Sequence, residues 1–280
     1  MFKCICEEKF KKSYYFQAHQ NICIDFQREK YLSQYEKTNF DNIEFINGVP
    51  KVVFVCWFGG YQVESQKMSK NRFEAFKSLV ENIGVPVILL TSNNYTNFIK
   101  PSHPIHPSFE FLSGNHKSDY IRSYFLHHYG GGYHDIKHRQ ESWQDCWGDW
   151  LFDNNIWIFG RRENNRRAIG YPPNGSNIQN HYSKLVTMGW VICKPNTKYT
   201  INLLTKIEDK LTNKYSELVA HPGNNSAGYY HENPFQMAEE NNYPLRWLEV
   251  MGEISHPLML ENIDYIKYGL PDAIKKKKYS

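Results

Sequence analysis

The chain has no long hydrophobic run. Its longest is residues 52–58 (VVFVCWF), seven residues, whereas a helix needs about 20 to cross a bilayer. Residues 1–30 are charged and aromatic with no apolar centre, which excludes a secretory leader there. No membrane anchor is expected, and the expected location is cytoplasmic. Excess charge of one sign is also missing. There are 33 Lys and Arg against 29 Asp and Glu, a net +4, so nucleic acid is not selected as a partner. Cysteines are few. Cys4, Cys6 and Cys23 cluster near one end, while Cys56, Cys146 and Cys193 are scattered. Scattered cysteines make no disulfide framework, and a cluster beside a histidine suits metal.

What is present suits one large α/β domain with a small appendage, since 280 residues can bury a sizeable core. Aromatics reach 16%, with 20 Tyr and 7 Trp. That suits stacking on bases or sugars, but a codon bias toward Tyr, Phe, Asn and Lys gives the same excess. The basic run at 275–278 reads as a solvated end.

Residues 1–24 resemble a zinc finger of the Cys-Cys-His-Cys variety, a ββα unit. Cys4, Cys6, His19 and Cys23 would be the ligands, and Phe10 and Phe16 its small core. Zinc would supply folding energy that so short a segment lacks. One residue separates Cys4 from Cys6, where such fingers have two to four. A metal-bound finger and a remnant packed without metal both remain open. The helix expected over 13–22 carries no Lys or Arg. Phosphate contacts and guanine readout need them, so a protein partner is expected here rather than DNA.

Residues 25–47 read as a polar linker with some helix, followed by a domain over 48–280. Asn47, Gly48 and Pro50 form a turn. Residues 51–58 read as a strand buried on both faces, 66–82 as a helix, 86–90 as a second strand and 94–99 as a short helix. This alternation predicts a doubly wound α/β start. Ligands of such sheets bind at the carboxyl ends of the strands, which places Trp57, Phe58 and Gly59 at a ligand edge. Trp57 is either a base-stacking ring or a strand-end core residue.

The densest signal is residues 118–137, SDYIRSYFLHHYGGGYHDIK. Ser118 reads as the N-cap of a helix over 119–129, stopped by Gly130. Asp119 and Arg122 are three apart and project from one side of its first turn. The glycines that follow let a ligand approach the backbone. Residues 133–137 read as a short strand with Asp135 and Lys137 on one side.

This pattern resembles the glycosyltransferase family with the sugar-binding DXD motif and its capsular-polysaccharide-synthesis relatives. Ser-Asp, an Arg three residues on, an apolar helix, Gly-Gly-x-Tyr and Asp-x-Asp are the shared features. Residues 50–59 resemble the opening strand of that family, and 243–258 (YPLRWLEVMGEISHPL) a later block. The resemblance spans about 48–260. It implies a GT-A fold, a Rossmann-like α/β domain with a mixed central sheet. It implies transfer of a sugar from a UDP- or GDP-linked donor to a hydroxyl of a glycan acceptor. Asp119 would bond sugar or ribose hydroxyls, Arg122 the sugar or diphosphate, and Asp135 the ribose and sugar. Gly131, Gly132 and Tyr133 would line the donor.

The second Asp of the family motif is Lys137 here. The family holds Mn or Mg with that carboxylate, and an ammonium cannot ligate a cation. Either Lys137 neutralises the diphosphate itself, or Asp135 keeps a metal with help from His256 or Glu253. A sugar- or protein-binding adaptor without activity is the rival from another class. Glu249 and Glu253, four apart in an expected helix, are candidates for base or acceptor contact, or a solvated helix face. Arg246 is placed to reach a phosphate or to form a surface ion pair. Residues 221–225 (HPGNN) read as a loop over the donor or a plain polar turn. His127 and His128 read as helix surface.

Overall fold

Two short strands, β1 (Phe2–Lys3) and β2 (Lys9–Phe10), pair antiparallel and precede helix α1 (Ser13–Glu36). The computed structural model describes residues 2–3, 9–10, 13–59, 68–170, 177–223 and 242–274. Cys4 and Cys6 lie outside these residues, as do Gly60, residues 224 and 225 of the expected loop, and the run 275–278. In the first segment two short strands precede one helix. Helix α1 runs through the boundary drawn after residue 24 and reaches well into the expected linker. Its end is fastened to the main sheet. The Glu36 carboxylate accepts from Thr91 Oγ1 at 2.7 Å, and its carbonyl accepts from Asn94 Nδ2 at 2.9 Å.

Strands β3 (Phe45–Ile46) and β4 (Val49–Pro50) form a hairpin. Its turn is Asn47-Gly48, with φ of 48° and 76°, the left-handed pair that tight hairpins require. Then come β5 (Val53–Trp57), α2 (Lys70–Asn82) and β6 (Val87–Thr91). Helix α3 (Gly114–His128) leads into β7 (Gly131–His134). Strands β8 (Ile158–Arg162) and β9 (Val186–Cys193) follow. Helices α4 (Lys198–Asn213), α5 (Tyr215–Ala220) and α6 (Gly252–Glu261) and strand β10 (Ile266–Tyr268) complete the order.

Six strands form one mixed sheet in the order β10-β8-β9-β7-β5-β6. Strands β6, β5 and β7 run parallel, β9 runs against β7 and β8, and β10 is parallel to β8. The fold is thus α/β and Rossmann-like, with the parallel β5-α2-β6 start that the sequence pattern predicts. Side chains of β5 alternate between two cores. Phe54 and Cys56 join Tyr120, Ile121 and Phe125 of α3, while Val53 and Val55 join Phe76 and Leu79 of α2. Burial on both faces is why the strand is apolar throughout rather than alternating.

Three expectations about local structure are corrected. Helix α3 begins five residues earlier than expected, capped by Ser113, whose hydroxyl accepts from the His116 N–H. Ser118 lies inside the helix and returns its hydroxyl to the Gly114 carbonyl at 2.9 Å. Strand β7 ends at His134, so Asp135 and Lys137 follow it rather than belonging to it. Glu249 precedes α6 while Glu253 lies in its first turn, so no single helix carries both.

Candidate functional site

The site is built where the first turns of α3 meet the carboxyl ends of the parallel strands. Gly114 fits there because a Cβ would come within 2.8 Å of the Phe58 carbonyl oxygen at the end of β5. From this anchored helix, Asp119 and Arg122 project inward as a buried ion pair. Arg122 Nη1 donates to the Met188 carbonyl at 2.6 Å and lies 3.8 Å from Asp135 Oδ1. Its guanidinium stands over the Tyr133 ring, 4.6 Å from the centroid. Tyr133 donates its hydroxyl to Asp135 Oδ1 at 3.0 Å. Burial holds that phenol well above its ordinary pKa, so it remains a donor. The Asp135 N–H donates to the Gly189 carbonyl at 2.6 Å.

Asp135 is therefore fixed on one side and open on the other. Its side chain is 37% exposed against 7% for Asp119 and Arg122. A carboxylate has about four acceptor sites, and the fixed contacts leave the solvent side for a ligand.

Beneath Asp135 lies an arrangement that the sequence pattern did not signal. Arg139 is fully buried and forks across three acceptors. It donates to His134 Nε2 at 3.0 Å, the Glu141 carbonyl at 2.6 Å and the Pro271 carbonyl at 3.2 Å, with Trp143 4.6 Å away. His134 Nδ1 meets the Asp135 carbonyl at 2.5 Å. A carbonyl only accepts, so Nδ1 carries the proton and Nε2 receives the Arg139 hydrogen. Burial and the Arg139 charge push the His134 pKa down to about 3. Ile274 N donates to the His138 carbonyl at 2.9 Å, so the segment after β10 is tied to the loop after Asp135.

A second cluster sits one turn earlier on α3. His116 contacts the Arg246 carbonyl through Nε2 at 3.1 Å and the Tyr243 hydroxyl through Nδ1 at 2.8 Å. Arg246 is clamped by two carboxylates, Glu253 Oε2 at 2.7 Å and Glu249 Oε2 at 3.7 Å. Lys210 of α4 reaches Glu249 Oε1 at 3.2 Å. Burial alone would raise the Glu249 pKa, but the Arg246 N–H, its guanidinium and Lys210 outweigh burial and lower it. At Glu253 burial prevails over Arg246 and raises the pKa. Neither side chain is open to a substrate, being 5% and 7% exposed. The structure thus presents them as a clamp on Arg246, in place of the base or solvated face expected.

Other expected site residues scatter. Trp57 is half-buried at the end of β5, packed toward the α2 core. The Phe58 ring is in the opposite core, edge-on to Tyr95 and Phe109, and Gly59 follows with a φ of 102°. Gly131 and Gly132 begin β7, at the far end of the strand from Asp135. Their close neighbours are the protein itself: a Cβ would lie 3.1 Å from the Pro50 carbonyl oxygen at Gly131 and 3.0–3.2 Å from Val53, Trp143 and Trp147 at Gly132. Strand packing, not ligand approach, accounts for the run. His256 is buried, with Nδ1 accepting from the Gly170 N–H at 3.2 Å. Lys137 is half-buried two residues beyond Asp135. His127 and His128, expected at the surface, are half-buried with rings 4.5 Å apart. Among the described residues no three His, Cys, Asp or Glu are grouped to hold a metal ion, and no helix is long and apolar enough to cross a membrane.

Three buried histidines give a pH prediction. Burial lowers the pKa of His116 and His256 to about 4 and that of His134 to about 3. Their unfolded value is about 6.5. A depressed folded pKa means that the stabilisation is complete above about 6.5 and is lost as pH falls toward 4. The melting temperature is expected to be level from pH 8 to 7 and to drop steadily from 6.5 to 4.5. A flat profile over that lower window in differential scanning calorimetry would contradict the neutral, buried assignment.

The family model of capsular polysaccharide synthesis proteins matches residues 3–172. That span holds Asp119, Arg122, Tyr133, Asp135 and Arg139, and the Arg246 cluster lies beyond it. No curated protein matches the chain.

Proposed function

The chain belongs to the capsular polysaccharide synthesis protein family, and from that premise we propose that it is a glycosyltransferase. In this reading a nucleotide-diphosphate sugar is the donor and a hydroxyl of a growing glycan is the acceptor. The observation that carries it is the Asp135 carboxylate, immobilised by Tyr133 and Arg122 yet open to solvent at the carboxyl ends of parallel strands. Asp135 accepts hydrogen bonds from donor hydroxyls. Asp119 and Arg122 hold the surface that Asp135 stands on. In the transfer, the acceptor oxygen bonds to the anomeric carbon and gives up its proton to the leaving diphosphate or to water, as the bond from that carbon to the diphosphate breaks. The diphosphate leaves with the electron pair, and stabilising that charge is the main demand on the protein. We assign Arg246, 35% exposed and oriented by Glu249 and Glu253, and Lys137 to that task.

The residues around Asp135 do not suit a divalent ion. One carboxylate oxygen is already engaged by Tyr133 and faces Arg122, and the residue two positions on is an ammonium.

A thermal-shift screen of UDP- and GDP-sugars, with and without manganese, tests this. A bound donor at 100 times its Kd stabilises by about 2.7 kcal/mol. One donor is expected to raise the melting temperature, and transfer is expected to persist in EDTA. If no donor shifts the protein and none is turned over, the transferase assignment fails. Transfer that EDTA abolishes would overturn the role of Lys137 alone.

A further inference from the structure

At the same edge of the sheet as Asp135, the end of β8 and the segment after it carry RRENNRR, residues 161–167. Arg162, Arg166 and Arg167 are exposed, and so is Lys184. Two of the arginines are fixed to one short stretch, 178–184. Arg162 Nη1 donates to the Ser183 carbonyl at 3.1 Å, and its guanidinium lies 3.5 Å from the centre of the Tyr268 ring. Arg166 Nη2 donates to Asn180 Oδ1 at 2.9 Å. Tyr268 in turn donates to the Lys184 carbonyl at 2.7 Å. Neutral partners orient these two arginines, and among the described residues no carboxylate pairs with them. The one acid in 161–167, Glu163, is buried and turned to the N–H groups of Asn164 and Asn165. Residues 177–184 contain no acid. Arg161 differs, being paired with Asp272 at 2.6 Å, and does not belong to the patch.

Register gives the distance from the site. The Asp135 N–H bonds the Gly189 carbonyl, and Arg162 pairs with Val186, three residues nearer the start of β9. That is roughly 10 Å along the strand and about two strand spacings across, a reach of a few sugar units from Asp135. An extended chain leaving the site over β9 and β8 would cross these cations.

We infer that Arg162, Arg166, Arg167 and Lys184 form the acceptor side of the site, and that the acceptor is an anionic glycan bearing carboxylate or phosphate groups. This rests on the glycosyltransferase reading, which favours a glycan over other polyanions. Fixed guanidiniums suit it because they pair with carboxylate and phosphate two-pronged.

The test uses the full chain and the double variant Arg166→Glu/Arg167→Glu, both exposed and outside the donor machinery. Binding is measured to polygalacturonate, a phosphorylated mannan, neutral dextran and duplex DNA at low and moderate salt. The wild type is expected to bind one or both anionic glycans at least tenfold more tightly than dextran, less so as salt rises. The variant is expected to lose at least tenfold of that binding while its thermal shift with donor stays unchanged. Arg166→Gln/Arg167→Gln should fall between. Binding of dextran equal to the anionic glycans, or variant binding equal to wild type, overturns the inference. Tighter binding of DNA than of either glycan also overturns it and makes the patch a nucleic-acid surface. If no donor shifts the wild type but the variant still loses glycan binding, the transferase assignment fails and the anion surface stands.

Discussion

Asp135→Asn is expected to lower sugar transfer on the order of 100-fold or more, the scale seen when a preorganised electrostatic contact is removed. The fold is expected to survive. Asparagine keeps an oxygen for the Tyr133 hydroxyl, which otherwise loses its acceptor, and a buried donor left unpaired costs about 1–3 kcal/mol. The replaced side chain is also partly exposed, so little packing is disturbed. Asp135→Ala should lose as much activity and more stability, because it strands that hydroxyl. The comparison separates charge from structure: both variants are assayed for transfer, and both are melted. Wild-type transfer by Asp135→Asn would remove Asp135 from the donor site and with it the observation on which the proposed function rests.

Arg139→Ala is expected to be the most destabilising single change near the site, by roughly 3–5 kcal/mol. The alanine leaves a void beside Trp143, strips a hydrogen bond from buried His134, which has no replacement, and removes those to the partly buried Glu141 and Pro271 carbonyls. For a protein of this size about 1 kcal/mol moves the melting temperature by 2–4 °C, so a drop of about 10 °C or more is expected. Arg139→Lys should recover part of the stability, since one ammonium fills space and bonds one acceptor but does not fork across three. Transfer should fall in Arg139→Lys at temperatures where it remains folded, because His134 positions the Asp135 backbone. A melting temperature within 2 °C of wild type for Arg139→Ala, a figure set by about 1 kcal/mol, would show that the fork is not needed.

The parts of this fold legible in the sequence are those set by local chemistry. Strand β5 and β6 up to its closing Thr91 are apolar because both faces are covered. The Asn47-Gly48 turn follows from two residues tolerant of positive φ, and Gly130 stops α3 with a φ of 70°. The three-residue spacing of Asp119 and Arg122 held because helix geometry alone fixes it. What was not legible depended on distant neighbours. Residues 114–118 (GNHKS) look like a loop, and they are helical because the turn packs on the end of β5. The glycine run invites a ligand until Pro50 and Trp143 are seen to occupy the space. Glu249 and Glu253 look like free acids until Arg246 and Lys210 are placed between them. Arg139 sits in an unremarkable polar stretch, and only the fold brings it to Pro271, 132 positions away.

That last contact has a consequence for biosynthesis. The loop bearing Asp135 is fastened by Pro271 and Ile274, so its final form waits for residues synthesised long after it. At roughly 5–20 residues per second, the ribosome needs on the order of ten seconds to travel from one to the other. During that interval β5, α2 and β6 can already pair, since their contacts are local, while the Asp135 loop still lacks its contacts with Pro271 and Ile274. The β5-α2-β6 part of the sheet is therefore assembled ahead of the edge that carries Asp135. On the proposed reading, the final form of the donor site waits for residues 271–274.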